Sequence, residues 1–170
     1  MLPFVLKGGQ INYTLVEVLP NLGISFRVDA FGLLFALVAS SLWIVTSIYS
    51  IGYMRHLDEH SQTRYFVFFA VALSATIGVA FSANLLTMYL FYEALSLATY
   101  PLVTHHQDKK ARTSGRKYLF YILGGSIAFA LPAMLITYHF TGTLDFAAQG
   151  VMAGKINSGL GLALTLMFLF

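Results

Sequence analysis

Apolar residues occur in long runs that short polar segments separate. The first run, residues 30–52, contains no charged side chain. At about 1.5 Å per residue it reaches about 34 Å, enough to cross the hydrocarbon core of a bilayer. Residues 65–104 form an apolar run that as one helix would be about 60 Å long, twice that thickness. The pattern therefore predicts two antiparallel spans, 65–82 and 85–104, with a break near Ser82-Ala83-Asn84, the most polar point of the run.

Two further apolar runs complete the predicted helices. Residues 117–138 are long enough for a fourth span, whereas residues 159–170 reach only about 18 Å and are predicted to begin a fifth. The predicted fold is an all-α integral membrane protein with four complete transmembrane helices plus the start of a fifth. Residues 1–29 are mixed in character and are interpreted as an extramembrane segment with a short strand at 13–19. Residues 30–170 then form the transmembrane helical domain.

Small residues and prolines predict how these spans pack. Gly78 and the small residues around it would allow a neighbouring helix to approach closely. Pro101 is predicted to kink or end the span at 85–104, because proline cannot donate a backbone hydrogen bond. Pro132 is predicted to kink the span at 117–138 for the same reason.

The composition supports membrane insertion and excludes several classes of site. Of the 170 residues, 58% are hydrophobic and 10% are charged, against about 25% charged in ordinary soluble domains, and the mean hydropathy is +0.74. The absence of cysteine excludes a disulfide, a thiolate metal site or an iron–sulfur cluster within the chain. The net charge of +3 is not interpreted as a nucleic-acid footprint, because the basic residues flank apolar spans. The expected surroundings are a lipid bilayer and other membrane subunits.

The distribution of basic residues predicts the orientation. Most Lys and Arg residues lie in the loops 53–64 and 105–117, and only Lys7, Arg27 and Lys155 lie in the segments 1–29 and 139–158. The excess of Lys and Arg in cytoplasmic loops then places 53–64 and 105–117 in the cytoplasm. We expect a multi-pass protein of the cell inner (plasma) membrane.

Glu93 is the candidate functional residue. It is the only formally charged side chain between Arg64 and Asp108, and it lies near the middle of an apolar run. An acidic residue at mid-helix costs on the order of 2.5–3.5 kcal/mol on an insertion scale, and such residues are functional candidates by default. A buried carboxyl of this kind can take up and release a proton. The alternative is a structural Glu that fixes a helix contact through a hydrogen bond.

Lys117 is the candidate partner of Glu93. It is the basic residue nearest the apolar part of the next span, and a short loop makes the two spans antiparallel neighbours. Two ionisable groups whose charges depend on each other form a coupled pair. The alternative for Lys117 is a lysine that extends its charge to the membrane interface. Tyr92, Ser96 and Thr99 would hydrogen-bond or hold water near Glu93, although each is also an ordinary transmembrane residue.

Other chemistry finds little support in the sequence. There is no glycine-rich phosphate loop, no HExxH and no CxxC motif, so we expect no cofactor in this chain. His56 and His60 lie in one polar loop, but a solvated loop without cysteine is the preferred interpretation, and no metal site is predicted. Asp29 precedes the first span and is predicted to cap its N-terminus.

Four segments carry a resemblance to a known family. They resemble the antiporter-like membrane subunits of respiratory complex I (the NADH:quinone oxidoreductase subunits L, M and N) and of Mrp-type cation/proton antiporters. The acidic motif and the end of the first span are the most specific of the four. The segments are Phe26-Arg27-Val28-Asp29-Ala30-Phe31-Gly32, Ile48-Tyr49-Ser50-Ile51-Gly52-Tyr53-Met54, Leu90-Phe91-Tyr92-Glu93 and Lys117-Tyr118-Leu119.

The resemblance implies roles for three residues. Glu93 matches the essential glutamate in the family's fifth helix, Lys117 matches a lysine common at the start of the sixth, and Asp29 matches an aspartate before the third. In the family, the glutamate pairs with a lysine of the seventh helix and passes protons to a central hydrophilic axis. That lysine and the later helices are absent from this sequence, so the resemblance implies a fragment of a larger bundle.

The implied function is proton translocation within a multisubunit membrane complex. Any electron transfer would take place in partner subunits, because this chain offers no redox site. The resemblance covers both redox-driven pumps of the NADH:quinone oxidoreductase type and Na⁺/H⁺ antiporters and does not choose between them. The alternative interpretation is a structural membrane subunit, or a truncated remnant that does not transport, in which Glu93 only packs.

Overall fold

The computed structural model describes residues 4–5 and 8–169, so Lys7 and Phe170 lie outside the described residues. The fold is mostly helical, with a two-stranded sheet at its N-terminal end. The elements in chain order are β1 (Ile11–Leu19), β2 (Leu22–Val28), α1 (Ala30–His56), α2 (Gln62–Ala80), α3 (Leu85–Val103), α4 (Lys109–Thr141) and α5 (Ser158–Leu169).

The N-terminal segment forms an antiparallel hairpin. Strand β1 pairs with β2 from Ile11 opposite Val28 to Leu19 opposite Leu22. The turn between them contains Asn21 with a φ of 58°, a left-handed conformation that asparagine tolerates better than most residues. The strand predicted at 13–19 is present, and β2 adds a second strand to a chain that was predicted to be all-α apart from that segment.

Helix α1 begins at the predicted place and for the predicted reason. The Asp29 side chain accepts a hydrogen bond from the Gly32 backbone N–H at 2.8 Å, which confirms Asp29 as the N-cap. The helix ends at His56, beyond the predicted end at residue 52. Most of its apolar side chains are exposed in this chain, because α1 packs mainly against α2.

Helices α2 and α3 form a tightly packed antiparallel pair. They are separated at residues 81–84, where the sequence predicted a break, and the Asn84 side chain caps α3 by accepting a hydrogen bond from the Thr87 N–H at 2.8 Å. A Cβ on Gly78 would overlap the Phe91 ring, so the close approach predicted for Gly78 is confirmed. Helix α3 ends at Val103, two positions after Pro101.

Helix α4 is continuous over Lys109–Thr141 but changes its winding near the middle. Its α-helical parts, Lys109–Gly125 and Leu131–Thr141, are joined by a π-helical turn at Ser126–Ala130. Pro132 stands two positions after the end of this turn. Proline removes one helical N–H donor and crowds the preceding turn, which accounts for the wider winding where the sequence predicted a kink.

The hairpin closes one end of the helix bundle through backbone hydrogen bonds. Ala83 N–H donates to the Ser25 carbonyl at 2.9 Å, and Phe146 N–H donates to the Ala83 carbonyl at 3.0 Å. The amide of Asn84 also donates to the Gly23 carbonyl at 2.8 Å. The α2–α3 turn is thus fixed between the hairpin and residues 144–146, which sets the depth at which α3 starts.

Among the described residues, three helices are long and apolar enough to cross a membrane, namely α1, α2 and α4, which supports a multi-pass membrane protein. Helix α3 is as long as α2 but is not among these three helices, and it contains Glu93, three tyrosines and Pro101. Helix α5 has 12 described residues. The three helices support the predicted class, an α-helical membrane protein. They do not establish the predicted total of four complete spans and the start of a fifth.

Candidate functional site

Glu93 lies near the middle of α3. Eight residues precede it in the helix and ten follow it, which correspond to about 12 Å and about 15 Å of helix. Both carboxyl oxygens are buried, and neither has a hydrogen-bond partner among the described residues. Buried polar groups are almost always hydrogen-bonded, so this carboxyl is an exception that requires an explanation.

Tyr89 lies one helical turn before Glu93 and interacts with its carboxyl group. Ser126 of α4, which is buried and opens the π-helical turn, lines the same cavity as Tyr89. The Ser126 hydroxyl donates to the Leu123 carbonyl at 3.1 Å. Tyr89 therefore places a polar group between Glu93 and the irregular part of α4. Single π-turns inside α-helices are frequent at functional sites.

Hydroxyl groups continue from Glu93 toward the other end of α3. Ser96 and Thr99 follow Glu93 at intervals of three residues, a spacing that places them along one side of the helix. The Ser96 hydroxyl donates to the Tyr92 carbonyl at 3.0 Å, and the Thr99 hydroxyl lies 2.9 Å from the Ser96 carbonyl. The Thr99 hydroxyl is also 2.7 Å from the hydroxyl of Tyr118 in α4. We call Glu93, Ser96, Thr99 and Tyr118 the polar file.

Contacts between α3 and α4 fix their register. The hydroxyl of Thr99 contacts that of Tyr118, and a Cβ on Gly115 would overlap the Thr104 side chain. The two residue numbers change in opposite directions along the interface, as in antiparallel helices. On this register Glu93 lies level with about residue 124 of α4.

Lys117 lies farther along the interface than Glu93. It is level with about residue 100 of α3, which is about 10 Å from Glu93 along the helix axis. Its side chain is exposed, and the part of the chain that the structure describes contains no ion pair between the two residues. Tyr118, the neighbour of Lys117, makes the contact with α3 instead.

Asp29 and Tyr92 occupy different surroundings. Asp29 caps α1 at the hairpin end, where its carboxylate lies 4.0 Å from the Arg27 guanidinium. Tyr92 is 45% exposed and lines a cavity of about 480 Å³ between α3, α4 and α5. Tyr89 and Ser126 line the same cavity. Of the residues singled out from the sequence, Ser96 and Thr99 lie on the same side of α3 as Glu93 by their spacing, and neither makes a hydrogen bond to its carboxyl group among the described residues.

Sequence reasoning missed Tyr89, Ser126 and Tyr118. Tyr89 stands four positions before Glu93, a helical spacing that places both side chains on one face. Ser126 and Tyr118 belong to α4, and their approach to α3 depends on the register of two helices. No spacing within one segment reveals that register.

Comparison with known proteins gives a consistent set of relatives. Residues 82–170 match the family described as NADH:quinone oxidoreductase/Mrp antiporter, TM. Residues 19–66 match the one described as NADH-Ubiquinone oxidoreductase (complex I), chain 5 N-terminus. One subunit of the Na⁺/H⁺ antiporter of Alkalihalophilus pseudofirmus is 33% identical over 149 residues, which are 85% of this chain and 18% of that relative. The NAD(P)H-quinone oxidoreductase chain 5 of Picosynechococcus is 26% identical over 153 residues, 86% of this chain and 23% of that relative.

The fold is similar to that of one chain in a solved structure of the membrane-bound sulfane sulfur reductase, an archaeal respiratory membrane complex. The TM-score is 0.77 at 22% identity, and the match covers 98% of this chain and 34% of that chain. At this identity the likeness concerns the fold alone. The chain spans about a fifth of the length of the two curated relatives named above.

Proposed function

This chain belongs to the NADH:quinone oxidoreductase/Mrp antiporter family, as its motifs predicted, and we propose that it moves protons through Glu93 as a membrane subunit of a larger complex. The observation that carries the proposal is the Glu93 carboxyl group, which is buried near mid-helix with no hydrogen-bond partner among the described residues. Tyr89, which interacts with this carboxyl, lies on the same helix, and among the described residues no hydrogen bond joins Glu93 to another helix, as a role limited to a helix contact would require.

The polar file supports a route for protons between Glu93 and one end of α3. From Glu93, the hydroxyls of Ser96, Thr99 and Tyr118 lead toward the loop 105–117. Hydroxyl groups both donate and accept hydrogen bonds, so a proton can pass along them with the help of intervening water. We propose that this file is the segment of the path between Glu93 and the basic loop.

Lys117 fits the proposal as an indirect partner of Glu93. On the register of α3 and α4 the separation from Glu93 along the helix axis is about 10 Å, with the Thr99–Tyr118 contact near the level of Lys117 and Ser96 between that contact and Glu93. We propose that a change in the charge of Lys117 reaches Glu93 through these hydroxyls and associated water. In the alternative, Lys117 only extends its charge to the interface, and its replacement leaves transport unchanged.

The proposal includes the membrane topology. We propose that α3 is a further crossing, because it packs antiparallel between α2 and α4, two helices that are apolar enough to span. With α1 this makes four complete crossings, and α5 begins a fifth. The basic loops 53–64 and 105–117 then face the cytoplasm, and the protein lies in the cell inner membrane.

The proposed partners are other membrane subunits. One matched relative is named as part of a Na⁺/H⁺ antiporter and the other as a chain of a quinone oxidoreductase, which supports assembly with further subunits. The exposed apolar side chains of α1 would then face lipid or those subunits. Electron transfer, if the complex performs it, takes place in the partners.

Proton flux in reconstituted vesicles tests the proposal. The complex that contains the full gene product is reconstituted as wild type, Glu93→Gln and Glu17→Gln, the last being an exposed acid in β1. We expect Glu93→Gln to abolish flux and Glu17→Gln to retain it, with both complexes intact. Proton flux at the wild-type level in an intact Glu93→Gln complex would contradict the proposal and support the alternative that Glu93 has only a structural role.

A further inference from the structure

Four ligand-bearing side chains converge where two turns meet. The α1–α2 turn contributes Glu59 and His60, and the residues after α3 contribute His105 and His106. We call these four residues the turn cluster. It lies at the opposite end of α3 from the hairpin, far from the cavity beside Tyr92.

One carboxylate oxygen stands at the centre of the turn cluster. Glu59 Oε2 is 3.7 Å from His105 Nε2, 3.8 Å from His60 Nδ1 and 4.0 Å from His106 Nδ1. The His60 and His105 ring centroids are 4.9 Å apart. Donor atoms of Glu59, His60 and His105 lie within 4.8 Å of one another. Three side chains from two turns therefore bring their donor atoms together around one point.

The imidazole ring of His105 is available to bind a metal ion. Its side chain is only 12% exposed, and neither ring nitrogen has a hydrogen-bond partner among the described residues. An imidazole nitrogen whose lone pair is not used in a hydrogen bond can bind a metal ion, so His105 can act as a ligand.

The turn cluster is held in place by its surroundings. The Gln62 amide donates to the Glu59 carbonyl at 3.1 Å, and Arg64 Nη2 donates to the His105 carbonyl at 2.6 Å. The Tyr65 ring packs edge-on against His105 at a centroid distance of 6.0 Å. These contacts fix His105, whereas His60, about half exposed, is free to adjust.

We propose that Glu59, His60 and His105 bind one divalent transition-metal ion of the Zn²⁺ class, with His106 or water as the fourth ligand. Bonds of about 2.0–2.1 Å in a tetrahedron place ligand atoms about 3.4 Å apart. The distances from Glu59 Oε2 of 3.7 and 3.8 Å require closure by a few tenths of an ångström. Rotation of the exposed His60 and His106 side chains supplies that movement.

The donor set selects the kind of ion. Two or three imidazoles with one carboxylate suit Zn²⁺ and its neighbours in the first transition row, whereas Ca²⁺ and Mg²⁺ require mostly oxygen ligands. Arg64 adds a positive charge beside His105, and the Glu59 carboxylate offsets it. The sequence predicted a solvated loop without a metal at His56 and His60, because that loop has no cysteine. His56 lies outside the turn cluster, and His105 comes from a distant part of the chain.

A bound ion would join the α1–α2 turn to the end of α3. Helix α3 carries Glu93 and the polar file, so the ion would limit movement of that helix against α1 and α2. This constraint is a role separate from proton transfer at Glu93, and the site stands or falls independently of the proposed function.

Metal titration of the complex that contains the full gene product tests the site. After chelator treatment the complex is titrated with Zn²⁺ alone. We expect one ion per chain that His60→Ala and Glu59→Gln lose or bind at least about tenfold more weakly. We expect His56→Ala, at the end of α1 and outside the turn cluster, to retain it. Because His60 is about half exposed, its replacement leaves folding intact, unlike that of the buried His105.

Three results of the titration would contradict the proposed metal site. Absence of Zn²⁺ binding, equal binding by wild type and His60→Ala, or equal loss in His56→Ala would each contradict it. X-ray absorption of the Zn²⁺-loaded wild type gives a second readout. We expect at least two imidazoles at about 2.0–2.1 Å and one fewer in His60→Ala; a shell of oxygen atoms alone would also overturn the proposal.

Discussion

The hydroxyls of Thr99 in α3 and Tyr118 in α4 lie 2.7 Å apart. This contact crosses the interface between the helix that carries Glu93 and the helix that carries Lys117. It is the point at which the polar file passes from one helix to the other. Without this contact, the hydroxyl groups of α3 and α4 would not form a continuous route for protons between the two helices.

Thr99→Val keeps the side-chain volume and removes the hydroxyl. We expect it to reduce proton flux strongly and to destabilise the α3–α4 contact by about 1 kcal/mol, the usual net value of one hydrogen bond. Thr99→Ser restores the hydroxyl and should restore flux. The measurement is vesicle flux together with the thermal stability of the complex.

A double-mutant cycle isolates the same contact. If Thr99 and Tyr118 act through each other, Tyr118→Phe combined with Thr99→Val should cost less than the sum of the single changes, with a coupling of about 0.5–1.5 kcal/mol. Additive effects on both stability and flux would mean that the two hydroxyls work independently.

Gly78→Ala tests the packing of α2 against α3. An added Cβ would overlap the Phe91 ring, and overpacking of this kind costs about 1–3 kcal/mol. Gly52→Ala in α1 is the matched control, because a Cβ there meets nothing within 4 Å. We expect Gly78→Ala to lower the unfolding temperature and Gly52→Ala not to lower it. The reverse order would contradict the packing of α2 on α3.

Two substitutions of Asp29 separate its role as the N-cap of α1 from any role of its negative charge. Asp29→Ala removes the hydrogen bond to the Gly32 N–H and should destabilise α1 by about 1 kcal/mol. Asparagine is an equally good N-cap, so Asp29→Asn should retain both stability and flux. A loss of flux in a stable Asp29→Asn complex would show that the carboxylate itself takes part in transport.

The helices followed from the sequence because their signals are local. The N-cap at Asp29 and the break near Asn84 depend only on neighbouring residues, and both are present in the structure. Strand β2 was not predicted, although it also has a local signal, the alternation of Leu22, Ile24 and Phe26 with small or polar residues.

The site was less predictable because its contacts join distant segments. Glu93 could be singled out by its charge alone, but the Thr99–Tyr118 contact and the position of Lys117 depend on the register of α3 against α4. The turn cluster joins His60 to His105, which no spacing within one loop would bring together. Register arises from packing, such as that at Gly115, and not from any one helix.

The central claim is that Glu93 changes its protonation state during transport. Infrared difference spectroscopy of the working complex measures this directly, because a protonated carboxyl has its own C=O stretching band. We expect a carboxyl band that appears and disappears with turnover in wild type and Glu17→Gln and is missing in Glu93→Gln. A band unchanged in an intact Glu93→Gln complex, or no carboxyl change at all in an actively transporting wild type, would contradict the claim.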